Sequence, residues 1–219
     1  MQSIVRIWCT TVVSVASLML LNGIATAAGA STPASGGAVA ESSTTDTPSD
    51  VRRSSADYLI PDVTLIREDG KLVKLAAELN DGRPVVLNFV YTSCTTICPM
   101  SSQVFEQFQD DVGSAGGAVH LMSISIDPEQ DTPARLREYA ERFHASKGWD
   151  HYSGTFAASL AVQKAFKAFR GDKMSHIPLT LVRAAPGEPW IRLDGFTRVE
   201  DLRAERQKWQ PAKPALVAR

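Results

Sequence analysis

The sequence predicts an α/β fold, a central mixed sheet with helices on both faces. Three observations carry this. Short, nearly continuous apolar runs alternate with stretches of helical period, and strands separated by helices imply a parallel sheet covered on both faces. At the start and near the end, strand runs are joined by turn signals instead of helices, which adds antiparallel pairs. Finally, 44% of the 219 residues are hydrophobic and 21% charged, an ordinary composition for a domain with a real core.

In chain order, Val63-Thr64-Leu65-Ile66 and Leu72-Val73-Lys74-Leu75 flank Glu68-Asp69-Gly70, and Asp-Gly between two β-prone runs predicts an N-terminal hairpin. Pro84 to Tyr91 is apolar almost throughout, as for a strand buried on both faces. A helix is predicted from about Pro99 to Val112, and a second central strand over Val119 to Ile126. Thr132-Pro133 forms an N-cap and first-turn pair. Behind it Leu136, Tyr139, Ala140 and Phe143 fall on one helical face. Val162, Phe166 and Phe169 belong to another helix, stopped by Gly171. Strands Leu179 to Arg183 and Trp190 to Phe196 flank the Pro186-Gly187 turn. Thr197-Arg198-Val199-Glu200 reads as a capping box opening a last helix with Leu202 and Trp209. This order is compatible with a thioredoxin-like fold carrying an extra N-terminal hairpin.

The flanks differ in kind. Residues 1–27 run from Arg6 through a mostly apolar stretch, Ile7 to Ile24, to Ala25-Thr26-Ala27, the order of a signal peptide. The stretch is also near the minimum length for a spanning helix, so a membrane anchor is the competing expectation. Residues 28–55 are rich in Ser, Thr, Ala, Gly and Pro and read as a disordered tether. The folded domain is expected over 56–210, with a flexible tail at 211–219. Net charge is −1, and without a basic surplus no nucleic-acid partner is expected. No Gly-rich nucleotide loop occurs.

Three cysteines are present. Cys9 lies in the leader, which leaves Cys94 and Cys98 for the domain. They sit where the first central strand ends and a helix begins, the edge at which open α/β sheets place their chemistry. A helix N-terminus stabilises thiolate. If both are helical, their Cα atoms lie about 6 Å apart on one face, within reach of a disulfide or of one soft metal ion. A bridge closing so short a loop stabilises little. Redox or metal chemistry is therefore preferred over a static disulfide.

The stretch Phe89-Val90-Tyr91-Thr92-Ser93-Cys94-x-x-x-Cys98-Pro99 resembles the signature of the Sco (SenC) family. So do Ser125-Ile126-Asp127-Pro128-Glu129-Gln130-Asp131-Thr132-Pro133 and a His just before a late strand. The resemblance spans roughly Tyr58 to Phe196. It implies a membrane-anchored or periplasmic thioredoxin-fold protein that binds copper, as Cu(I) or Cu(II), and assists assembly of the dinuclear copper centre of cytochrome c oxidase. It also implies Cys94, Cys98 and His176 as copper ligands. Thr95-Thr96-Ile97 stands where the family often has Pro-Asp-Val, Ser175 where it usually has Asp, and Pro178 where many members have an ordinary strand residue. In its place at the start of a strand, Pro178 resembles the proline that faces the cysteines in thioredoxins.

Among the other histidines, His120 is expected to be a satisfied structural residue, His144 a helix-end residue and His151 a surface residue in a polar connection. Two thiolates and an imidazole suit copper in either state, and zinc would accept them too. Asp127 ends the second central strand on the cysteine edge; it orients a ligand, contacts a partner, or is a turn carboxylate. Asp131 is expected to be a local turn or capping group. The main expectation is a periplasmic metallochaperone serving an oxidase subunit or another copper protein, recharged by a thiol reductant. The alternative is a thiol-disulfide oxidoreductase or thiol peroxidase-like enzyme using Cys94 and Cys98 as its redox pair. A non-catalytic domain with a structural disulfide is the third.

Overall fold

The computed structural model describes residues 50–113 and 118–209. The leader, residues 28–49 of the expected tether and the tail at 211–219 lie outside the described residues. Among the described residues, eight strands form one mixed sheet: β1 (Arg52–Ala56), β2 (Thr64–Arg67), β3 (Leu72–Lys74), β4 (Val85–Val90), β5 (His120–Ser125), β6 (Trp149–Gly154), β7 (Leu179–Arg183) and β8 (Trp190–Asp194). Their spatial order is β1-β8-β7-β4-β5-β6-β2-β3. The centre, β4-β5-β6, is parallel. The flanks are antiparallel: β7 on β4, β8 on β7 and β1 on β8 at one side, β2 on β6 and β3 on β2 at the other.

Alternation along β4 divides the core in two. Val85, Leu87 and Phe89 face the cluster closed by α1 (Leu75–Leu79) and α4 (Phe156–Ala165), through Leu75, Leu79, Ala158 and Val162. Val86 faces the cluster closed by α2 (Ile97–Val112), α3 (Pro133–Arg142) and α5 (Val199–Gln207), through Phe105, Phe108, Tyr139 and Leu202. Helices on both faces explain why every residue of β4 is buried.

Several boundaries differ from the sequence reading. Strand β1 begins inside the segment assigned to the tether. Its side chains, Arg-Arg-Ser-Ser-Ala, are mostly exposed, so it has no apolar signature, and its backbone ladder to β8 holds it. Strand β6 was not foreseen, and His151 lies within it, buried rather than on the surface. His151 is covered by Trp149 and Tyr139 at ring-centroid distances of 5.2 and 6.0 Å. The last helix is capped by Arg198 with Asp201, one residue later than the expected Thr197 box. Helix α4 ends at Ala165, and Lys167 at φ 53° turns the chain before Gly171. Among the described residues, no helix is long and apolar enough to cross a membrane.

Candidate functional site

The C-terminal end of β4 runs into Tyr91, Thr92, Ser93 and Cys94 ahead of α2. Cys94 closes a turn, its N–H donating to the Tyr91 carbonyl at 3.1 Å. A buried carboxylate fixes this turn. Asp131 accepts from the Thr92 hydroxyl at 2.6 Å, the Thr92 N–H at 3.2 Å and the Ser125 hydroxyl at 2.6 Å. The sequence reading made Asp131 a local turn or capping group. Thr132 is the true cap of α3, and Asp131 braces the cysteine loop instead.

Cys94 is therefore not helical. The N-cap of α2 is Thr96, whose side chain makes no capping bond. The Cys94 sulfur fills that role, accepting the Cys98 N–H at 3.4 Å. Burial pushes the Cys94 thiol up. The N–H groups of Cys98 and Thr96, together with the Cys98 and Tyr91 side chains, outweigh it and bring the pKa down to about 7. Cys98, in the first turn of α2, moves the other way, raised first by burial and then by its neighbour Cys94. Both thiols are free. They pack with Val90 and Tyr91 in one small buried cluster. Tyr91 is pushed up to about 12 by burial and by Cys94.

His176 follows a single 3-10 turn, Lys173–Ser175, capped by Asp172. Its Nε2 lies 3.1 Å from the Phe89 carbonyl on β4. A carbonyl only accepts, so Nε2 carries the proton and Nδ1 keeps the lone pair. Burial holds its pKa below the usual histidine range, with the Phe89 carbonyl opposing. The topology thus brings His176 and both cysteines to one edge of the sheet, but their ligand atoms do not all lie within 4.8 Å of one another. Asp127 is not hydrogen-bonded to any of them. Its carboxylate pairs with Lys173 Nζ at 2.5 Å, tying the turn ahead of His176 to the end of β5.

The group of histidine and carboxylates that does converge within 4.8 Å among the described residues is Glu78, His120 and Asp150, at the opposite end of the strands. His120 Nδ1 lies 3.0 Å from Asp81, and Nε2 lies 3.1 Å from Asp150 and 2.9 Å from the Tyr152 hydroxyl. That hydroxyl donates to Glu78 at 2.6 Å. Arg83 pairs with Asp81, and Arg67 sits near Glu78. Each ring nitrogen has an acceptor and each carboxylate a partner, which fits the satisfied structural histidine expected from sequence. His144 follows Phe143, the C-cap of α3, at φ 49°, with Nδ1 2.6 Å from Glu106.

The family model described as SCO1/SenC matches residues 51–179. The SCO1 protein homolog of Bacillus subtilis (strain 168) is 30% identical over 115 residues, 52% of this chain and 58% of that protein. Protein SCO1 homolog 1, mitochondrial, of Arabidopsis thaliana is 37% identical over 83 residues, 37% of this chain and 24% of that protein. The chain thus spans less than two thirds of these relatives' length. A solved structure of BsSco, described as a member of the Sco family of cytochrome c oxidase assembly proteins, superposes with TM-score 0.60 at 24% identity, over 73% of this chain and 98% of that one. Yeast Sco1 with copper bound gives TM-score 0.57 at 20% identity, over 71% and 92%. These likenesses establish the thioredoxin-like fold. With its paired cysteines on a helix N-terminus at the strand edge and a family match over more than half its length, the chain belongs to the SCO1/SenC family.

Proposed function

We propose that this protein binds copper through Cys94 and Cys98, with His176 as third ligand, and supplies copper for assembly of the copper centre of cytochrome c oxidase. The proposal places it in a bacterial periplasm, free or held to the membrane by its N-terminal segment. One observation carries it: two free thiols share one buried cluster, and the more acidic of them, at about 7, caps a helix N-terminus. At neutral pH Cys94 is substantially thiolate and binds the metal ahead of Cys98. Cys98 is held as thiol and gives up its proton as the second sulfur bond forms, so loading releases acid. His176 carries an Nδ1 lone pair suited to copper. To meet the sulfurs, its ring or its segment, which the Lys173–Asp127 pair holds, has to move. Delivery is ligand exchange with a copper protein, and the metal is cargo.

The opposed shifts of the two cysteines also favour a second reading, thiol-disulfide exchange. Cys94 thiolate attacks a partner disulfide, whose sulfur–sulfur bond breaks as a mixed disulfide forms. Cys98 then loses its proton, attacks the Cys94 sulfur and releases the reduced partner. The two electrons passed on are restored by a thiol reductant acting on the Cys94–Cys98 disulfide.

Titration of the reduced protein with Cu(I) and Cu(II) separates the readings. The copper reading expects one metal per chain with a thiolate-to-Cu(II) charge-transfer band, lost in Cys94→Ser and Cys98→Ser. Turnover of a protein disulfide with no copper uptake would select the exchange reading.

A further inference from the structure

Beside the cysteines stands a sulfur that neither ligand set uses. Met174 is 75% exposed. Its thioether is not loose: the Tyr91 hydroxyl meets Met174 Sδ at 3.8 Å. Tyr91 packs in the same buried cluster as Cys94 and Cys98. Tyr91 therefore joins a solvent-facing thioether to the buried cysteine cluster. The arrangement is pinned from both sides. The Met174 N–H donates to Asp172 at 2.8 Å, and adjacent Lys173 holds Asp127 while its ammonium lies 5.8 Å from the Tyr91 ring centroid.

The chemistry of this path is selective. Both cysteines are buried, Cys94 at 4% exposure and Cys98 at 1%, so metal arriving on a carrier does not meet them directly. A thioether is a soft, uncharged donor that binds Cu(I) and has little affinity for Cu(II). Unlike a thiolate it needs no deprotonation, so it captures metal at any pH near neutrality and releases it readily to a thiolate.

We infer that Met174 is the entry ligand for Cu(I), taking the ion from its carrier at the surface and handing it past the Tyr91 hydroxyl to Cys94. The inference rests on the copper reading above. Copper stays Cu(I) throughout. A carrier–copper bond is exchanged for the thioether–copper bond, which is then exchanged for the Cys94 thiolate bond. Cys98 loses its proton to solvent as it completes the pair. Met174 is thus a kinetic group, and the resting complex is held by the cysteines and His176.

The test loads reduced wild-type protein and Met174→Leu from a small-molecule Cu(I) chelate, followed by stopped flow. We expect loading to slow at least about tenfold in the variant, while Cu(II) loading is unchanged. In parallel, Ag(I), a redox-inert analogue of Cu(I), is titrated into Cys94→Ser/Cys98→Ser protein with labelled methionine methyls. The Met174 resonance should shift while that of Met122, fully buried in the core, stays fixed. Equal Cu(I) rates in wild type and Met174→Leu, with an unmoved Met174 methyl, would overturn the inference. So would slowing seen only with a protein donor, which would make Met174 a docking contact. If wild-type protein takes up no Cu(I) at its cysteines, the copper reading itself fails, and that result is distinct from either.

Discussion

At the N-terminal end of β5, His120 is fully buried, and each of its ring nitrogens faces a carboxylate, Asp81 on one side and Asp150 on the other. At the C-terminal end of β4, Cys94 and Cys98 are also buried, but their sulfurs are held by weaker contacts: for Cys94, one peptide N–H at 3.4 Å, the Thr96 hydroxyl at 3.9 Å and the Tyr91 and Cys98 side chains. Between these ends lies the same pair of parallel strands. The contrast teaches where reactivity is placed. A buried polar group that is fully paired contributes to stability and resists exchange. A thiol held by weak donors at a helix N-terminus keeps its capacity for a new bond. Loop bracing follows the same division, since Asp131 uses its hydrogen bonds on Thr92 and Ser125 and leaves the sulfurs free.

The largest predicted effect lies at the reactive end. Cys94→Ser should lower copper affinity by more than about 100-fold, since losing a ligand exceeds the 10–100-fold typical of losing a group behind one. Its chemical unfolding midpoint should stay near wild type. A matching loss of stability would show that the pair is structural. At the saturated end the pattern inverts. His120→Ala removes the shared partner of Asp81 and Asp150 and should cost about 3 kcal/mol in urea unfolding, with copper affinity unchanged. A mild effect on stability would mean the network contributes little beyond its Arg partners.

These contrasts also show what the sequence could and could not display. Strands β4, β5 and β7 were legible because residues buried on both faces leave an apolar run. Strand β1 was not, because an edge strand held by its backbone can carry Arg-Arg-Ser-Ser. Strand β6 hid behind Asp150 and His151, whose burial depends on His120, Trp149 and Tyr139, partners invisible to local periodicity. The cysteine pair was legible from spacing and position alone. The brace from Asp131 to Thr92 spans 39 residues, and the contact of Tyr91 with Met174 spans 83, so neither leaves a local signal.

Smaller effects sharpen the comparison. Asp131→Asn keeps the shape but weakens three charge-assisted hydrogen bonds, and should cost about 2 kcal/mol of stability. It should also move the Cys94 titration, because the turn that presents its sulfur loosens. Unaltered titration would confine Asp131 to stability. The smallest effect is in the wild-type protein. Cys94 is held below its ordinary 9.0 at about 7, so its thiolate fraction rises with pH, about tenfold between roughly pH 6 and pH 8. Thiolate absorption should record a single step there, with Cys98 silent until well above it. Two overlapping steps would contradict the assigned asymmetry.

The central claim is that the cysteine-bearing edge of the sheet assembles one copper site from Cys94, Cys98 and His176. X-ray absorption on the copper complex of the reduced protein tests this most directly. The account predicts two sulfurs and one imidazole nitrogen around each copper, with the nitrogen lost in His176→Ala. A shell of nitrogen and oxygen alone, unchanged by His176→Ala, would place the metal elsewhere and contradict it.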